Sequence, residues 1–206
     1  MRYFKIGFLI IGMLVSQLVV SGNVRAGAPT DQVRQTADQV LTLLRNPQFK
    51  GADKESQRRE RLREIIGNRF NFEEMAKRSL GASWRRVGAE DQKRFVELFT
   101  DLLEKSYADQ IESYNGEKIV YGRENIAQDQ AEVDTKVINK KGQEFTVNYK
   151  LQSNQGDWKV YDVMIDNVSL VNNYRSQFNR ILAKSSFNDL LKKLEAKSPE
   201  IQDVRT

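Results

Sequence analysis

The feature that most constrains the fold is a change in hydrophobic period near residue 115. Before it, residues 89–114 place apolar side chains every three or four positions, which predicts one long amphipathic helix. After it, residues 118–166 mostly alternate apolar and polar side chains, which is typical of β-strands. Asn115-Gly116 lies between the two patterns and marks a turn.

Four strands are expected, at about 118–127, 130–139, 143–153 and 157–166. Strict alternation in the second and third predicts an antiparallel sheet with one covered face and one wet face. The residues of the third strand that share the covered face are Phe145, Val147, Tyr149 and Leu151. Lys140-Lys141-Gly142 and Asn154-Gln155-Gly156 are expected to form hairpin turns.

The fourth strand is apolar on both faces. Trp158, Val160 and Met164 are expected on one side, and Tyr161, Val163 and Ile165 on the other. A strand of this kind is expected to be central or to lie under a second layer.

Helices are expected before and after the strands in the sequence. A first helix is capped by Thr30 or Asp31 and ended by Asn46-Pro47, and a shorter one covers 72–80. Two more follow the sheet, at 169–184 and 187–196. Helices segregated from an antiparallel meander indicate the α+β class. The long helix is expected to cross a curved sheet of four strands, with the helical portion enclosing an apolar cavity.

The first residues are interpreted as a secretory leader. Arg2 and Lys5 precede an apolar run of about 15 residues, and small residues follow at 26–28. The run is shorter than the roughly 20 residues that a spanning helix needs. Residues 1–26 are therefore expected to be removed, leaving residues 27–206 as one domain located in the periplasm. Removal takes away three cations and no acid, so the formal charge falls from +5 to +2 and gives little support to nucleic-acid binding.

The sequence contains no cysteine and no histidine. This composition excludes disulfides, thiolate metal ligands, imidazole ligands and a Ser-His-Asp triad. No phosphate-binding or dinucleotide motif is present, and we expect neither cofactor nor metal.

Asp162 and Asp166 come closest to a catalytic pair. On one strand they would stand about 13 Å apart, too far for the carboxylate pairs of glycoside hydrolases. The expected alternative is that Asp162 pairs with a basic neighbour and Asp166 helps the chain to turn. An enzyme with one of these carboxylates as base, and Tyr107 or Tyr149 as acid, stays open as an alternative.

A basic cluster is formed by Arg58, Arg59, Arg61 and Arg63. A solvated helix face is the expected interpretation. The alternative is a docking surface for anionic head groups or for an acidic partner.

Two segments resemble the MlaC family of periplasmic phospholipid-binding proteins, the toluene-tolerance or auxiliary components of an ABC transport system. The first contains Phe70-Asn71-Phe72, Met75-Ala76, Leu80-Gly81 and Trp84. The second contains Trp158 to Val163, Val168-Ser169-Leu170-Val171, Asn173-Tyr174-Arg175 and Gln177-Phe178. One departure is Asn167, where glycine is expected; asparagine tolerates the same left-handed backbone.

The resemblance implies a carrier rather than an enzyme. It implies that phospholipid passes between an outer-membrane lipoprotein–porin complex and an inner-membrane ABC transporter complex, which maintains the lipid asymmetry of the outer membrane. Each buried methylene contributes about 0.8 kcal/mol, so acyl chains alone supply ample affinity. An envelope scaffold with a solid interior is the remaining alternative.

The acyl chains are expected between the long helix, the sheet and the returning helix. The residues predicted to line this space are Phe95, Phe99, Leu102, Tyr107, Val147, Tyr149, Val163, Ile165, Val168, Leu170 and Tyr174.

Overall fold

The computed structural model describes residues 28–114, 116–196 and 201. The predicted leader, residues 1–26, lies outside the described residues, so its removal stays a prediction. The helices are α1 (Ala28–Arg45), α2 (Glu55–Gly67), α3 (Phe72–Leu80), α4 (Ala89–Glu112), α5 (Leu170–Leu182) and α6 (Phe187–Glu195). The strands are β1 (Lys118–Ala127), β2 (Gln130–Ile138), β3 (Glu144–Asn154), β4 (Asp157–Ile165) and β5 (Val168–Ser169).

Three of the helices begin at a capping residue whose side chain accepts a hydrogen bond from a backbone N–H of the first turn. Asn71 accepts a hydrogen bond from the Glu74 N–H at the start of α3, and Ser169 accepts one from Asn172 at the start of α5. Ser186 and Asp189 form a reciprocal capping box at α6. These contacts satisfy N–H groups that have no partner within the helix.

Helix α1 differs from the predicted one at its first turn. It extends to Ala28, so Thr30 and Asp31 lie inside the helix instead of capping it. Thr30 donates from both its backbone N–H, at 2.8 Å, and its hydroxyl, at 2.5 Å, to Glu124 of β1. A bond across the structure therefore replaces the expected local cap. The predicted end at Asn46-Pro47 is confirmed.

The α+β class and the antiparallel meander are confirmed. The strands are hydrogen-bonded in the order β1-β2-β3-β4-β5, each antiparallel to the next. The sheet has five strands instead of four, because Val168 and Ser169 fold back and pair with Ile165 and Met164.

Two left-handed residues make this last reversal possible. Asp166 and Asn167 have φ values of +46° and +67°, as the two central residues of a type I′ turn require. Asn167 thus adopts the backbone conformation for which glycine was expected. Asp166 also accepts a hydrogen bond from the Thr146 N–H at 2.9 Å, which confirms its predicted role in turning the chain.

A β-bulge in β4 changes which side chains share a face. Pairing passes from Leu151–Val160 to Lys150–Asp162, which leaves Tyr161 as an extra residue on β4. Alternate residues therefore no longer share a face of the sheet when they lie on opposite sides of the bulge. The prediction that Val163 faces away from Val160 is wrong: Trp158, Val160, Val163 and Ile165 all belong to one apolar cluster.

Both faces of β4 are nevertheless covered, as predicted. The bulged Tyr161 is buried on the opposite face, where the guanidinium of Arg78 lies 4.0 Å from its ring centroid. A second irregularity in the β1–β2 pairing lies between Tyr121 and Glu124. Bulges increase local twist and bending, and these two account for a curved sheet.

The apolar side chains form two clusters. The helical core lies among α3, α4, α5 and α6. The second cluster, here called the inner face, joins the sheet to α1 and to the start of α5. Its buried members are Val33, Ala131, Val133, Leu151, Trp158, Val160, Val163 and Leu170. Within the described residues, no helix has the length and apolar character needed to cross a membrane.

Candidate functional site

The inner face is covered by α1, and polar contacts fix the N-terminal half of that helix. The side-chain oxygen of Gln32 accepts from the Trp158 N–H at 2.9 Å and from Arg69 at 2.7 Å. The Gln32 amide donates to the Gly156 carbonyl at 2.9 Å. Because these bonds reach the β3–β4 turn while Thr30 reaches β1, α1 is held across the width of the sheet.

Burial decreases along the inner face from one end to the other. On β3, Leu151 is fully buried, Tyr149 and Val147 are half-buried, and Phe145 is 38% exposed. These four side chains share one face, since strand residues alternate. The inner face is therefore closed near the β3–β4 turn and open near the β2–β3 turn.

Neighbouring strands repeat the same gradient. Phe145 pairs with Val137, which pairs with Ile119, and neither Val137 nor Ile119 is fully buried. This end of the sheet is thus a row of apolar side chains with incomplete cover. A contiguous apolar row with incomplete cover is a candidate binding surface.

Tyr149 lies between the closed and the open ends. Burial raises the pKa of its phenol well above the ordinary value, because the ionised form would lose its hydration. Its side chain nevertheless keeps accessible surface. Tyr149 is therefore closely surrounded by protein atoms but not sealed from solvent, in keeping with its position between the closed and the open ends.

Tyr121 of β1 shows a similar but weaker effect. Burial raises the pKa of its phenol, the charge of Asp38 adds to the rise, and the charge of Arg34 opposes it. The Arg34 guanidinium lies 4.6 Å from the Tyr121 ring centroid. Such a cation–π contact adds a further attachment between α1 and the sheet.

The helical core is filled by closely packed aromatic rings. Phe99 meets Tyr174 edge-on at a centroid distance of 5.5 Å, and Phe95 meets Phe178 in the same way at 5.5 Å. All four side chains are fully buried. Edge-to-face and offset contacts at these distances are the favoured arrangements of aromatic pairs.

The predicted lining residues are therefore divided between the two clusters. Those at the inner face are Val147, Tyr149, Val163, Ile165 and Leu170. Those in or against the helical core are Phe95, Phe99, Leu102 and Tyr174. Tyr107 of α4 packs against both clusters. Val168 belongs to neither and is 46% exposed.

Several inner-face residues had not been assigned to the site. Val33 and Tyr121 are examples, and both depend on α1 lying across the sheet. The periodicity of α1 indicated an apolar stripe, but nothing in it identified the surface that the stripe covers. Trp158 and Val160 were separated from Val163 by the unforeseen bulge.

Asp162 has an architectural position. It is buried, and its two oxygens accept from the Ser169 hydroxyl at 2.6 Å and the Val171 N–H at 3.1 Å. The expectation of a basic partner is wrong, because these two donors take its place at the start of α5. Asp166 is exposed and bonds to Thr146 instead. The two carboxylates thus serve different contacts.

The basic cluster also differs from expectation. Arg61 pairs within α2, with Glu64 at 2.7 Å, as a solvated face predicts. The other three arginines reach across to α4. Arg58 pairs with Glu112 at 2.6 Å, and Arg59 pairs with Asp109 at 2.9 Å and with Glu112 at 3.0 Å. Arg63 pairs with Asp101 at 3.0 Å and with Glu104. We call these seven residues the arginine–carboxylate ladder.

The ladder is the principal link between α2 and α4. Leu62 is the buried residue of α2, and the α2 backbone packs against α1. The helix therefore packs against α1 but is fastened to α4 by long charged side chains. Within the described part of the chain, no group of three His, Cys, Asp or Glu side chains is placed to hold a metal ion.

The comparison with known sequences decides the family. The model of the MlaC protein family matches residues 34–196 of this chain. This chain belongs to the MlaC family. The match includes the whole sheet, α2 to α6, and all but the first residues of α1.

Two named relatives can be aligned with most of the chain. The intermembrane phospholipid transport system binding protein MlaC of Haemophilus influenzae is 24% identical over 188 residues, 89% of this chain and 88% of that protein. A toluene tolerance protein of Pseudomonas putida, ttg2D, is 25% identical over 184 residues, 88% of this chain and 85% of that protein.

A solved structure shares the fold. It is a phospholipid-binding protein from Ralstonia solanacearum, determined in complex with a phospholipid. The TM-score is 0.73 at 23% sequence identity, and the match covers 84% of this chain and 98% of that one. The arrangement of sheet and helices is therefore an established architecture.

Proposed function

We propose that this MlaC-family chain is a phospholipid carrier that holds acyl chains against the inner face, beneath α1 and beside Tyr107 of α4. The observation that carries the proposal is the gradient along β3, from a fully buried Leu151 to a 38% exposed Phe145. A surface that is apolar along its whole length but covered only at one end has room for a flexible apolar ligand.

The wall of the proposed site is formed by the inner-face group of predicted residues together with Tyr107. Its members are Val147, Tyr149, Val163, Ile165, Leu170 and Tyr107. Phe95, Phe99, Leu102 and Tyr174 stand behind this wall as the helical core against which Tyr107 packs. Val168 lies at the exposed edge beyond Ile165, where a tail would enter.

The chemistry required of a carrier is binding without reaction. Burial of each methylene contributes about 0.8 kcal/mol, so one acyl chain supplies enough affinity for retention during transit. We propose no catalytic step. Transfer takes place in the periplasm, between an outer-membrane lipoprotein–porin complex and an inner-membrane ABC transporter complex, and it maintains outer-membrane lipid asymmetry.

Native mass spectrometry of the mature protein after gentle purification tests the proposal. We expect the protein to carry the added mass of phospholipid. Ile165→Asp should abolish that mass, because it places a carboxylate on the apolar wall without a partner. Val163→Asp should do the same, but its position is more deeply buried and the variant is more prone to misfold.

Met164→Asp is the matched control for Ile165→Asp. Met164 is adjacent in β4, is half-buried like Ile165, and points to the opposite face of the sheet. It should keep the lipid, with helical circular dichroism retained in both variants. Retention of equal lipid mass by folded Ile165→Asp would overturn this placement, and wild-type protein without lipid mass would favour a scaffold.

A further inference from the structure

A pocket lies near the open end of the inner face. It has a volume of about 490 Å³ and is formed where α1 ends, α2 begins and α4 ends. Its lining residues are Leu44, Arg45, Phe49, Lys50, Gly51, Arg58, Glu112, Tyr114 and Gly116. We call it the basic pocket. Its volume lies within the range of small-ligand pockets, roughly 300–1,000 Å³.

Chain connectivity places the basic pocket near the proposed lipid tails. Gly116 lines the pocket, and Ile119, three residues later, begins the incompletely covered row that continues through Val137 to Phe145. Three residues span at most about 11 Å. A molecule lying on the open end of the inner face would therefore have its other end within reach of the pocket.

The single carboxylate of the pocket is already neutralised. Glu112 pairs with Arg58 at 2.6 Å and with Arg59 at 3.0 Å. Arg58 also donates to the carbonyl oxygen of Phe49 at 2.9 Å, so its guanidinium is fixed in place. Asp53, which follows Gly51 closely in the chain, pairs with Lys54 at 3.6 Å.

Two cations of the pocket have no anionic partner among the described residues. Arg45 donates to the neutral Tyr114 hydroxyl at 3.0 Å, and its guanidinium lies 5.7 Å from the Tyr114 ring centroid. The Tyr114 hydroxyl itself donates to the Glu117 carbonyl at 2.9 Å. Lys50 is exposed at the rim and forms no ion pair with a described residue. Three cations and one carboxylate give the pocket a formal charge of +2.

We propose that the basic pocket binds the phosphate group of a lipid whose tails lie on the inner face. This inference rests on the proposed function. Arg45 and Lys50 provide the charge for the phosphate, and Leu44 and Phe49 add apolar lining to the same pocket. A guanidinium held against an aromatic ring is well suited to bind phosphate oxygens in two places.

The charge of the pocket also predicts a preference between lipids. A head group with net negative charge, such as phosphatidylglycerol, gains from a charge of +2, whereas the amine of phosphatidylethanolamine is repelled by it. The carrier should therefore take up the anionic lipid preferentially, even though the tails supply most of the affinity.

The test is a competition between two lipids with identical acyl chains. The delipidated mature protein is incubated with vesicles of equal phosphatidylglycerol and phosphatidylethanolamine content, and the bound lipids are quantified by mass spectrometry. Arg45→Gln/Lys50→Gln should lower the ratio of bound phosphatidylglycerol to phosphatidylethanolamine roughly two- to five-fold, as expected for exposed ion pairs.

Arg180→Gln/Lys184→Gln is the matched control. It removes the same two charges from exposed positions at the end of α5 and just after it. It should leave the ratio unchanged. An equal fall in both variants would indicate a general charge effect and overturn the inference, as would an unchanged ratio in the pocket variant. Absence of bound lipid in the wild type would instead overturn the proposed function.

A titration with inorganic phosphate distinguishes the source of the anion. If the lipid head group is the ligand, it already occupies the pocket of the lipid-loaded protein, so millimolar phosphate should leave the amide resonances near Tyr114 unshifted and the lipid ratio unaltered. Saturable shifts there, combined with a lipid ratio that is indifferent to Arg45 and Lys50, would assign the pocket to free phosphate and overturn the lipid source.

Discussion

At the scale of single residues, Asp162 joins the sheet to the helix that follows it. It is on β4, but its oxygens bind the Ser169 hydroxyl and the Val171 N–H at the first turn of α5. A carboxylate at a helix N-terminus also complements the helix dipole. Both oxygens of this carboxylate are therefore bonded to structural donors.

The prediction at this scale concerns stability. Asp162→Ala should lower the free energy of unfolding by about 2–3 kcal/mol, because the buried Val171 N–H loses its acceptor. Asp162→Asn keeps a carbonyl oxygen for that N–H and should cost about 1 kcal/mol or less. Urea denaturation followed by circular dichroism measures both. An alanine variant as stable as the wild type would refute this role.

At the scale of elements, α2 is attached differently on its two sides. Its backbone packs against α1, while its link to α4 is the arginine–carboxylate ladder. Individual exposed ion pairs contribute about 0.2–1 kcal/mol, and salt screens them over about 10 Å at 0.1 M. An element held in this way opens at lower cost than one held by an apolar core. Helix α2 packs against α1, the helix that covers the inner face.

Charge reversal should loosen α2 selectively. Arg63→Glu places a third carboxylate beside Asp101 and Glu104, so hydrogen exchange of the α2 amides should accelerate several-fold while α5 and α6 keep their protection. Adding Glu104→Arg should restore protection. Arg61→Glu is the control, because the ion-pair partner of Arg61 among the described residues is Glu64, within α2 itself. Equal acceleration in both single variants would exclude a specific role for the ladder.

At the scale of the whole molecule, the periodic sequence signals predicted the order of helices and strands because each reflects a local rule. The switch near residue 115 survives in the structure, and so does the alternation of buried and less buried side chains in β2. The bulge at Tyr161 did not follow from local pattern, since an extra residue in one strand is defined only against its partner. The fifth strand likewise exists only as a pairing with Met164 and Ile165.

The same limit applies to the site. Tyr149 and Ile165 were predicted as lining because each continued an apolar face, and they do lie on the inner face. Phe95 and Phe99 gave the same signal and lie in the helical core. Helical spacing of apolar side chains indicates that they are buried, but it does not indicate which element buries them. The distinction depends on which elements come together, and that is a long-range property.

The two clusters predict that lipid stabilises one part of the molecule and not the other. A ligand that binds the folded state raises stability by RT ln(1 + [L]/Kd), about 2.7 kcal/mol at a hundred-fold excess over Kd. Phe178→Leu shrinks a fully buried ring of the helical core, so it should lower Tm in the empty and loaded protein alike and preserve the increment that lipid adds. Ile165→Asp should change the Tm of the empty protein less, because its side chain is half-buried, yet lose the increment.

Calorimetry of both variants with and without phospholipid measures the four values. If Phe178→Leu lost the increment and Ile165→Asp kept it, the acyl chains would lie among the helices and the inner face would be ordinary core.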